Sequence, residues 1–274
     1  MAAVWAAGAV LGVIAPAAVA FQAATQPAAP ASKPSSTPAA QPSSQPAVKP
    51  APAAQPKATV NTAVVPVPRE DGGWKERHEL INSRVKQGPV DVVFIGDSIT
   101  QGWEGAGKDA WEKHFAKLHP ANLGIGGDRT QHVLWRLDHG NLDGIKPKVA
   151  VVMIGTNNSN GADNTAGEIA DGIAAIVASL KAKTPDTKIL LLAIFPRGEK
   201  PNPQRDKLNE VNAKASRLAD GKTVVFLDIG DKFLQPDWTI SKEIMPDYLH
   251  LSPKGYEIWA AAIEPKIVEL MGTK

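Results

Sequence analysis

Ser98, Asp247 and His250 carry the three side chains that nucleophilic attack on a carbonyl carbon requires. A serine hydroxyl is a weak nucleophile until a base removes its proton. Asp247 and His250 are three residues apart, so the carboxylate can accept the Nδ1 proton of the ring and leave Nε2 free as a base toward Ser98. The spacing predicts Ser98 as the nucleophile, His250 as the base and Asp247 as the residue that orients the base.

The negative charge that develops on the carbonyl oxygen in such a reaction needs hydrogen-bond donors that already point at it. We expect these donors to be the backbone amides of Ser98 and Gly127 and the side-chain amide of Asn157. Glycine at position 127 permits a close approach of the backbone to a ligand. These groups form the predicted oxyanion hole.

Each of these motifs also has a purely structural interpretation. Gly96-Asp97-Ser98 consists of ordinary turn residues, and its serine can simply cap a helix. Asp247 can cap the turn that follows it, which leaves His250 as an ordinary half-exposed side chain. A tight turn explains Gly127, and an Asx turn explains Asn157. None of the motifs decides between structure and chemistry when it is taken alone.

Five short apolar runs bounded by turn residues predict strands that are buried on both faces, as in a parallel sheet. They are Val90–Ile95, Ala121–Gly124, Val149–Ile154, Lys188–Ile194 and Thr223–Leu227. Helical spacing of apolar residues follows most of them, at Thr130–Leu137, Ala166–Lys183, Pro203–Leu218 and Pro253–Met271. The alternation predicts an α/β fold, a three-layer α/β/α sandwich with a five-stranded parallel sheet.

The chemically suggestive motifs come directly after predicted strands. Gly96-Asp97-Ser98 follows the first strand, Gly126-Gly127-Asp128 the second, and Gly155-Thr156-Asn157-Asn158 the third. Ligands in folds of this kind bind beyond the carboxyl ends of the strands. Because Asp247 and His250 precede the last helix, four separated segments are expected to meet at one edge of the sheet.

These motifs, in this order, resemble those of the SGNH (GDSL) hydrolases. Phe94–Ser98 resembles block one of that family, Asn122–Gly127 block two, Gly155–Asn158 block three and Asp247–His250 block five. The resemblance covers nearly all of residues 75–270 and implies the flavodoxin-like SGNH hydrolase fold. It is closest to the catalytic α subunits of platelet-activating factor acetylhydrolase, through Gly124–Leu137, Pro196–Pro203 and Asp247–Ser252.

Carried over position by position, the resemblance implies the same triad and oxyanion hole as the reasoning from the residues. It adds a small acyl pocket shaped by Ile99, Thr156 and Leu249, and therefore a short, acetyl-like acyl group. Ile99 stands where the GDSL signature has leucine, a volume-conserving replacement that keeps the pocket apolar. Asp97 is expected to hold the serine turn by hydrogen bonds.

The N-terminal quarter differs in composition from the rest of the chain. Residues 1–20 contain an apolar, uncharged run that ends in Ala18-Val19-Ala20, which predicts a signal peptide. Residues 21–68 are rich in Ala, Pro, Ser and Gln and predict a disordered linker. Residues 69–274 are predicted to form the catalytic domain. We therefore expect a secreted or periplasmic protein, or one that an uncleaved N-terminal segment tethers to a membrane.

Composition excludes several classes of function. The chain has no cysteine, so disulfides, thiolate metal sites and a cysteine nucleophile are absent. A formal net charge of +2 without a basic stripe argues against nucleic acid as a partner. The six histidines show no metal-binding spacing. We expect no cofactor and no metal, with a small ester of an acetylated lipid, a sugar or a simple alcohol as the substrate; a homodimer is left open.

The leading hypothesis is hydrolysis of a short-chain carboxylic ester through an acyl-Ser98 intermediate. A carbohydrate O-acetylesterase is the main alternative, because export and the indoles of Trp103, Trp111, Trp135 and Trp238 suit sugar stacking, although such residues are more often part of a core. A non-catalytic carbohydrate-binding or surface-interaction module is a third hypothesis, which the intact triad opposes.

Overall fold

The computed structural model describes residues 60–272, which form five strands and seven α-helices. The strands are β1 (Val92–Gly96), β2 (Pro120–Gly124), β3 (Val149–Met153), β4 (Lys188–Leu192) and β5 (Val224–Leu227). The helices are α1 (Gly72–Val85), α2 (Ser98–Gln101), α3 (Lys108–His114), α4 (Thr130–Asp138), α5 (Ala166–Lys183), α6 (Pro203–Ala215) and α7 (Pro253–Met271). All five predicted strands are confirmed.

The strands form one parallel sheet in the order β2-β1-β3-β4-β5. β1 lies between β2 and β3, and its last residue, Gly96, is in register with Gly124 on one side and Met153 on the other. The loops that follow β1, β2 and β3 therefore leave the sheet side by side. The predicted convergence of three motifs at one edge follows from this order.

Two apolar clusters cover the two faces of the sheet. Helices α1, α4, α5 and α6 contribute buried residues to the cluster that contains Val93 and Ile95. Helices α3 and α7 contribute to the cluster that contains Val92 and Phe94. Because successive side chains of a strand point to opposite faces, β1, β3, β4 and β5 each supply both clusters, whereas β2 supplies only the first. The predicted three-layer α/β/α sandwich is confirmed.

The predicted helix boundaries hold where a capping side chain marks the start. Thr165 caps α5 and forms a reciprocal capping box with Glu168. Asn202 caps α6, and Ser252 caps α7, each with proline as the first helical residue. Helix α6 ends earlier than predicted, because residues Ser216–Leu218 tighten into a 3₁₀ turn.

Helix α1 is missing from the prediction, although Asp71 caps it through a hydrogen bond from the amide of Trp74. Its core-facing side includes the polar residues His78 and Asn82, which break the apolar spacing. Both are buried, and they bond to each other and to Asn141 in the loop after α4. Hydrogen bonds between these three side chains thus attach α1 to the domain at positions where the other helices have apolar contacts.

Residues 61–67 pack on the domain, although the prediction assigned them to a disordered linker. The hydroxyl of Thr130 donates to the carbonyl of Ala63 at 2.8 Å, and the amide of Val67 donates to the carbonyl of Gln131 at 3.3 Å. Ala63 is fully buried. The Ala and Pro composition of this segment therefore hides contacts that hydrogen bonds to its backbone provide.

Residues 21–59 of the predicted linker and the predicted signal peptide lie outside the described residues. Within residues 60–272, none of the helices combines the length and the apolar character needed to cross a bilayer.

His114 joins α3 to α7 by placing each ring nitrogen against a carboxylate. Its Nδ1 lies 2.7 Å from Glu264 Oε2 and its Nε2 lies 3.0 Å from Glu257 Oε1. Burial lowers the pKa of His114, but the two glutamates outweigh burial and hold this pKa above its ordinary value of 6.5. The imidazolium is therefore favoured by the folded state.

We expect this pair of contacts to make stability depend on pH. Below the ordinary histidine pKa the folded and unfolded states are both protonated, and the full contribution is present. It is lost as the pH rises above 6.5 and through the raised pKa of the folded state. Urea unfolding from pH 6 to pH 9 should show the wild-type advantage over His114→Gln shrinking as the pH increases. Parallel stability curves for the two proteins would contradict the assignment.

Candidate active site

Ser98 is the first residue of α2, directly after the turn that ends β1. Gly96 permits this turn because a Cβ there would lie 2.5 Å from the carbonyl oxygen of Met153. Asp97 caps the helix by accepting a hydrogen bond from the amide of Ile99 at 3.0 Å. The Tyr256 hydroxyl in α7 donates to the carbonyl of Ile99 at 2.7 Å. Contacts from both sides therefore fix the turn that presents the serine.

Asp97 is fully buried, and burial raises its pKa to about 7 despite the hydrogen bond from Ile99. The structure thus gives Asp97 the positioning part that the sequence predicted for it.

His250 and Asp247 come from the loop before α7 and meet Ser98 at the carboxyl edge of the sheet. Ser98 Oγ lies 2.8 Å from His250 Nε2, and His250 Nδ1 lies 2.7 Å from Asp247 Oδ2. The side chains of His250 and Asp247 are about half exposed. The three predicted residues, separated by 152 positions between serine and histidine, form one continuous hydrogen-bonded chain.

The carboxylate of Asp247 is held by its own loop. Its Oδ1 accepts hydrogen bonds from the amides of Leu249 at 3.0 Å and His250 at 2.7 Å. Burial opposes the charged form, but the bonds from the His250 ring and from these amides outweigh it and keep the pKa of Asp247 below its ordinary value. Asp247 can therefore remain an anion beside the imidazole. Tyr248 adopts a left-handed conformation, with φ of 61°, that lets the loop fold back in this way.

The amides of Ser98 and Gly127 are free donors at this edge. Neither N–H donates to another of the described residues, whereas the amide of the adjacent Gly126 donates to Gln101 Oε1 at 2.7 Å. Gly126 is next to the serine, since a Cβ on it would lie 3.7 Å from Ser98 Cβ. Gly127 has φ of +78°, which only glycine adopts readily. Gly127 therefore both forms a tight turn and keeps an unused backbone N–H.

Asn157 follows β3, on the other side of β1 from β2, and its side chain reaches the loop that carries Gly127. One hydrogen of its side-chain amide goes to the carbonyl of Asp128 at 2.9 Å. The second hydrogen has no acceptor among residues 60–272. Asn157 is therefore held by the loop after β2 while one donor stays available.

The three residues implied as an acyl pocket differ in exposure. Ile99 and Thr156 are almost completely buried, and Ile99 packs with Trp103 in the apolar cluster under α7. Leu249 is partly buried and lies between Asp247 and His250 in the chain. Leu249 is thus the most exposed of the three.

Comparison with known proteins decides the family. The sequence profile of the GDSL-like lipase/acylhydrolase family matches residues 94–258. The chain belongs to this family. As a GDSL hydrolase it acts on esters.

Its curated relatives include two acetylhydrolase subunits. The chain is 40% identical over 216 residues to platelet-activating factor acetylhydrolase IB subunit alpha1 of Homo sapiens, covering 77% of this chain and 91% of the relative. It is 41% identical over 219 residues to subunit alpha2 of Rattus norvegicus, covering 77% and 92%. A GDSL-like lipase from Bacteroides thetaiotaomicron shares the fold, with a TM-score of 0.59, 23% identity and coverage of 70% and 97%.

The sequence reasoning missed two arginines that contact this site of the GDSL hydrolase. Arg197 donates from Nη1 to the carbonyl of Thr156 at 3.3 Å and to its hydroxyl at 3.2 Å. Arg69 donates to the carbonyl of Gly126. Arg197 was visible in the motif Pro196-Arg197-Gly198, but nothing in the sequence connects that motif to Thr156.

The interior next to the loop after β2 contains a charged pair. Asp128, which is fully buried, accepts hydrogen bonds from Arg136 Nε at 2.8 Å and from Trp74 Nε1 at 2.7 Å. Because breaking such a pair leaves an uncompensated buried charge, the loop that carries Gly127 is firmly anchored.

Proposed function

We propose that this protein is a serine esterase that hydrolyses a short-chain, acetyl-like carboxylic ester through an acyl-Ser98 intermediate. The observation that carries the proposal is the 2.8 Å distance from Ser98 Oγ to His250 Nε2, in line with the 2.7 Å contact from His250 to Asp247. Hydrogen-bond contact between nucleophile, base and orienting acid is the arrangement that activates serine.

In the first half of the reaction His250 takes the Ser98 proton while Oγ bonds to the acyl carbon. The bond from this carbon to the alcohol oxygen then breaks, and His250 returns the proton to the departing alcohol. In the second half His250 removes a proton from water, which attacks the acyl carbon. The carboxylic acid is released and Ser98 recovers its proton. Asp247 stabilises the imidazolium that forms in each half.

The oxyanion of each tetrahedral intermediate would be held by the amides of Ser98 and Gly127 and by the side chain of Asn157. The free state of the two amides and of one Asn157 hydrogen supports this role. Donors that are fixed before the reaction stabilise the transition state without reorganisation.

The small acyl pocket leads to a prediction about chain length. We expect kcat/KM for p-nitrophenyl acetate to exceed that for the butyrate by about tenfold or more, since each misplaced methylene in an apolar pocket is worth about that much. Leu249→Ala should bring the two kcat/KM values closer together, because it shortens the partly exposed side chain of the proposed acyl pocket.

Leu80→Ala, which shortens an exposed side chain on α1, is the matched control and should leave the ratio unchanged. Equal rates on acetate and octanoate would contradict the short-acyl assignment.

A carbohydrate O-acetylesterase is a second candidate, and one observation favours it. Trp238 is 59% exposed and lines a cavity of about 270 Å³ together with Asp228 and Asn209. An exposed indole beside polar side chains suits a sugar ring. Trp103 is buried in the core, so the four tryptophans do not form one platform. Acetate release from acetylated xylan, compared with release from acetyl phospholipid, separates the two substrates.

A further inference from the structure

The segment before α1 crosses the edge of the sheet where the proposed oxyanion hole lies. We name residues 61–71 the N-terminal strap. Its Thr62 hydroxyl accepts a hydrogen bond from Asn164 at 3.0 Å, in the segment after β3. Its Val67 amide bonds to the first turn of α4, after β2. The strap thus touches both segments that supply oxyanion donors, and it lies outside residues 94–258, which the family profile matches.

Arg69 is the strap residue nearest to the predicted donor Gly127. Its Nη1 donates to the carbonyl oxygen of Gly126 and lies 3.6 Å from Asp128 Oδ1. Its Nε donates to Asp71 Oδ2 at 2.9 Å. A Cβ at position 127 would lie 2.8 Å from Nη1, so the guanidinium packs directly on the glycine.

The carbonyl of Gly126 and the N–H of Gly127 belong to the same peptide group. Since this group is planar, with its C=O and N–H pointing in opposite directions, a donor that fixes the oxygen also fixes the direction of the N–H. A charged donor is stronger than a neutral one and polarises the peptide that it binds. Arg69 therefore binds the carbonyl oxygen of the peptide group between Gly126 and Gly127. The N–H of this group, on its opposite side, is the free donor.

The guanidinium is itself held in place. Asp71, its partner, caps α1 by accepting from the amide of Trp74 at 2.9 Å. The indole of Trp74 donates to the buried Asp128, in the same loop as Gly127. Arg69 is thus tied through α1 to the loop that it orients, and three quarters of its side chain is removed from solvent.

We propose that Arg69 is a positioning residue for the oxyanion hole, which aims the Gly127 N–H at the reacting carbonyl oxygen. The inference rests on the proposed function. The amide of Gly126, in contrast, is already used by Gln101, so the loop is held on one peptide by Gln101 and on the next by Arg69.

The test compares Arg69→Met, Arg69→Lys and Arg84→Met with p-nitrophenyl acetate as the substrate. Rates are expressed per active serine, titrated with a fluorophosphonate, so that a loss of folded protein does not count as a loss of rate. Arg84 is the matched control, because it donates to the carbonyl of Pro120 at 2.9 Å, at the opposite end of β2.

We expect Arg69→Met to lower kcat by about tenfold to a hundredfold with little change in KM, less than the loss of a donor itself. Arg69→Lys, which keeps one charged donor, should recover part of the rate. Arg84→Met should keep the wild-type kcat.

A kcat for Arg69→Met within about twofold of wild type, or an equal loss in Arg84→Met, would overturn the positioning role. Failure of the proposed function has a different signature, since wild-type Ser98 would then not react with the fluorophosphonate, and both proposals would fall together.

Discussion

Replacing Ser98 by alanine is expected to lower kcat for p-nitrophenyl acetate by about three to six orders of magnitude. On the proposed mechanism the hydroxyl is the group that bonds to the acyl carbon, and its one hydrogen-bond partner in the described part of the chain is His250 Nε2. The substitution therefore removes the nucleophile and no structural contact other than that one. The melting temperature should stay close to that of the wild type.

Ser216→Ala is the control for this change. Ser216 lies at the end of α6, where its hydroxyl donates to the carbonyl of Ala213, and its removal should leave kcat unchanged. An alanine variant at position 98 that keeps most of its activity would rule out the acyl-serine scheme, whatever the origin of the remaining hydrolysis.

Replacing Asn157 by alanine is expected to cost about 10²- to 10³-fold in kcat, the range observed when one oxyanion donor is removed. On the proposed mechanism the donor acts on charge that is absent from the bound ester and develops toward the tetrahedral intermediate, so KM should change little. The substitution also leaves the Asp128 carbonyl without its partner at 2.9 Å. A loss of stability from that source would appear in the melting temperature and not in the rate per titrated serine.

Asn157→Asp refines the measurement, because aspartate has nearly the same shape but presents an acceptor where a donor is needed. It should be at least as damaging as alanine. Gln87→Ala, which removes an exposed side-chain amide just after α1, supplies the neutral comparison. If the rate per active serine at position 157 fell by no more than a few-fold, the oxyanion role of Asn157 would have to be abandoned.

Much of the sheet was predictable because its strands are buried on both faces. Runs such as Val149–Met153 are continuous and apolar, so their number and position can be recognised without knowing their neighbours. Parallel strands end at one edge, which is why motifs after β1, β2 and β3 were expected to meet. The distances of 2.8 Å from His250 to Ser98 and 2.7 Å from His250 to Asp247 could not be derived from the spacing of these residues in the sequence.

The missed parts are held by polar contacts between distant segments. Helix α1 faces the core with His78 and Asn82, and the strap binds through Ala63 and Val67 backbone groups. Hydrogen bonds of this kind leave no periodic pattern, because the partners lie more than 50 residues away. Arg69 was invisible for the same reason: an arginine near proline and glutamate residues resembles any charged linker residue.

The half-exposed state of the His250 and Asp247 side chains, 44% and 55% accessible, bears on the other half of the ester. On the proposed mechanism the departing alcohol takes its proton from an imidazole that borders the solvent, so this alcohol need not fit inside the protein. Substrate selectivity would then depend on the acyl group, and esters of bulky alcohols would be hydrolysed as readily as esters of small ones.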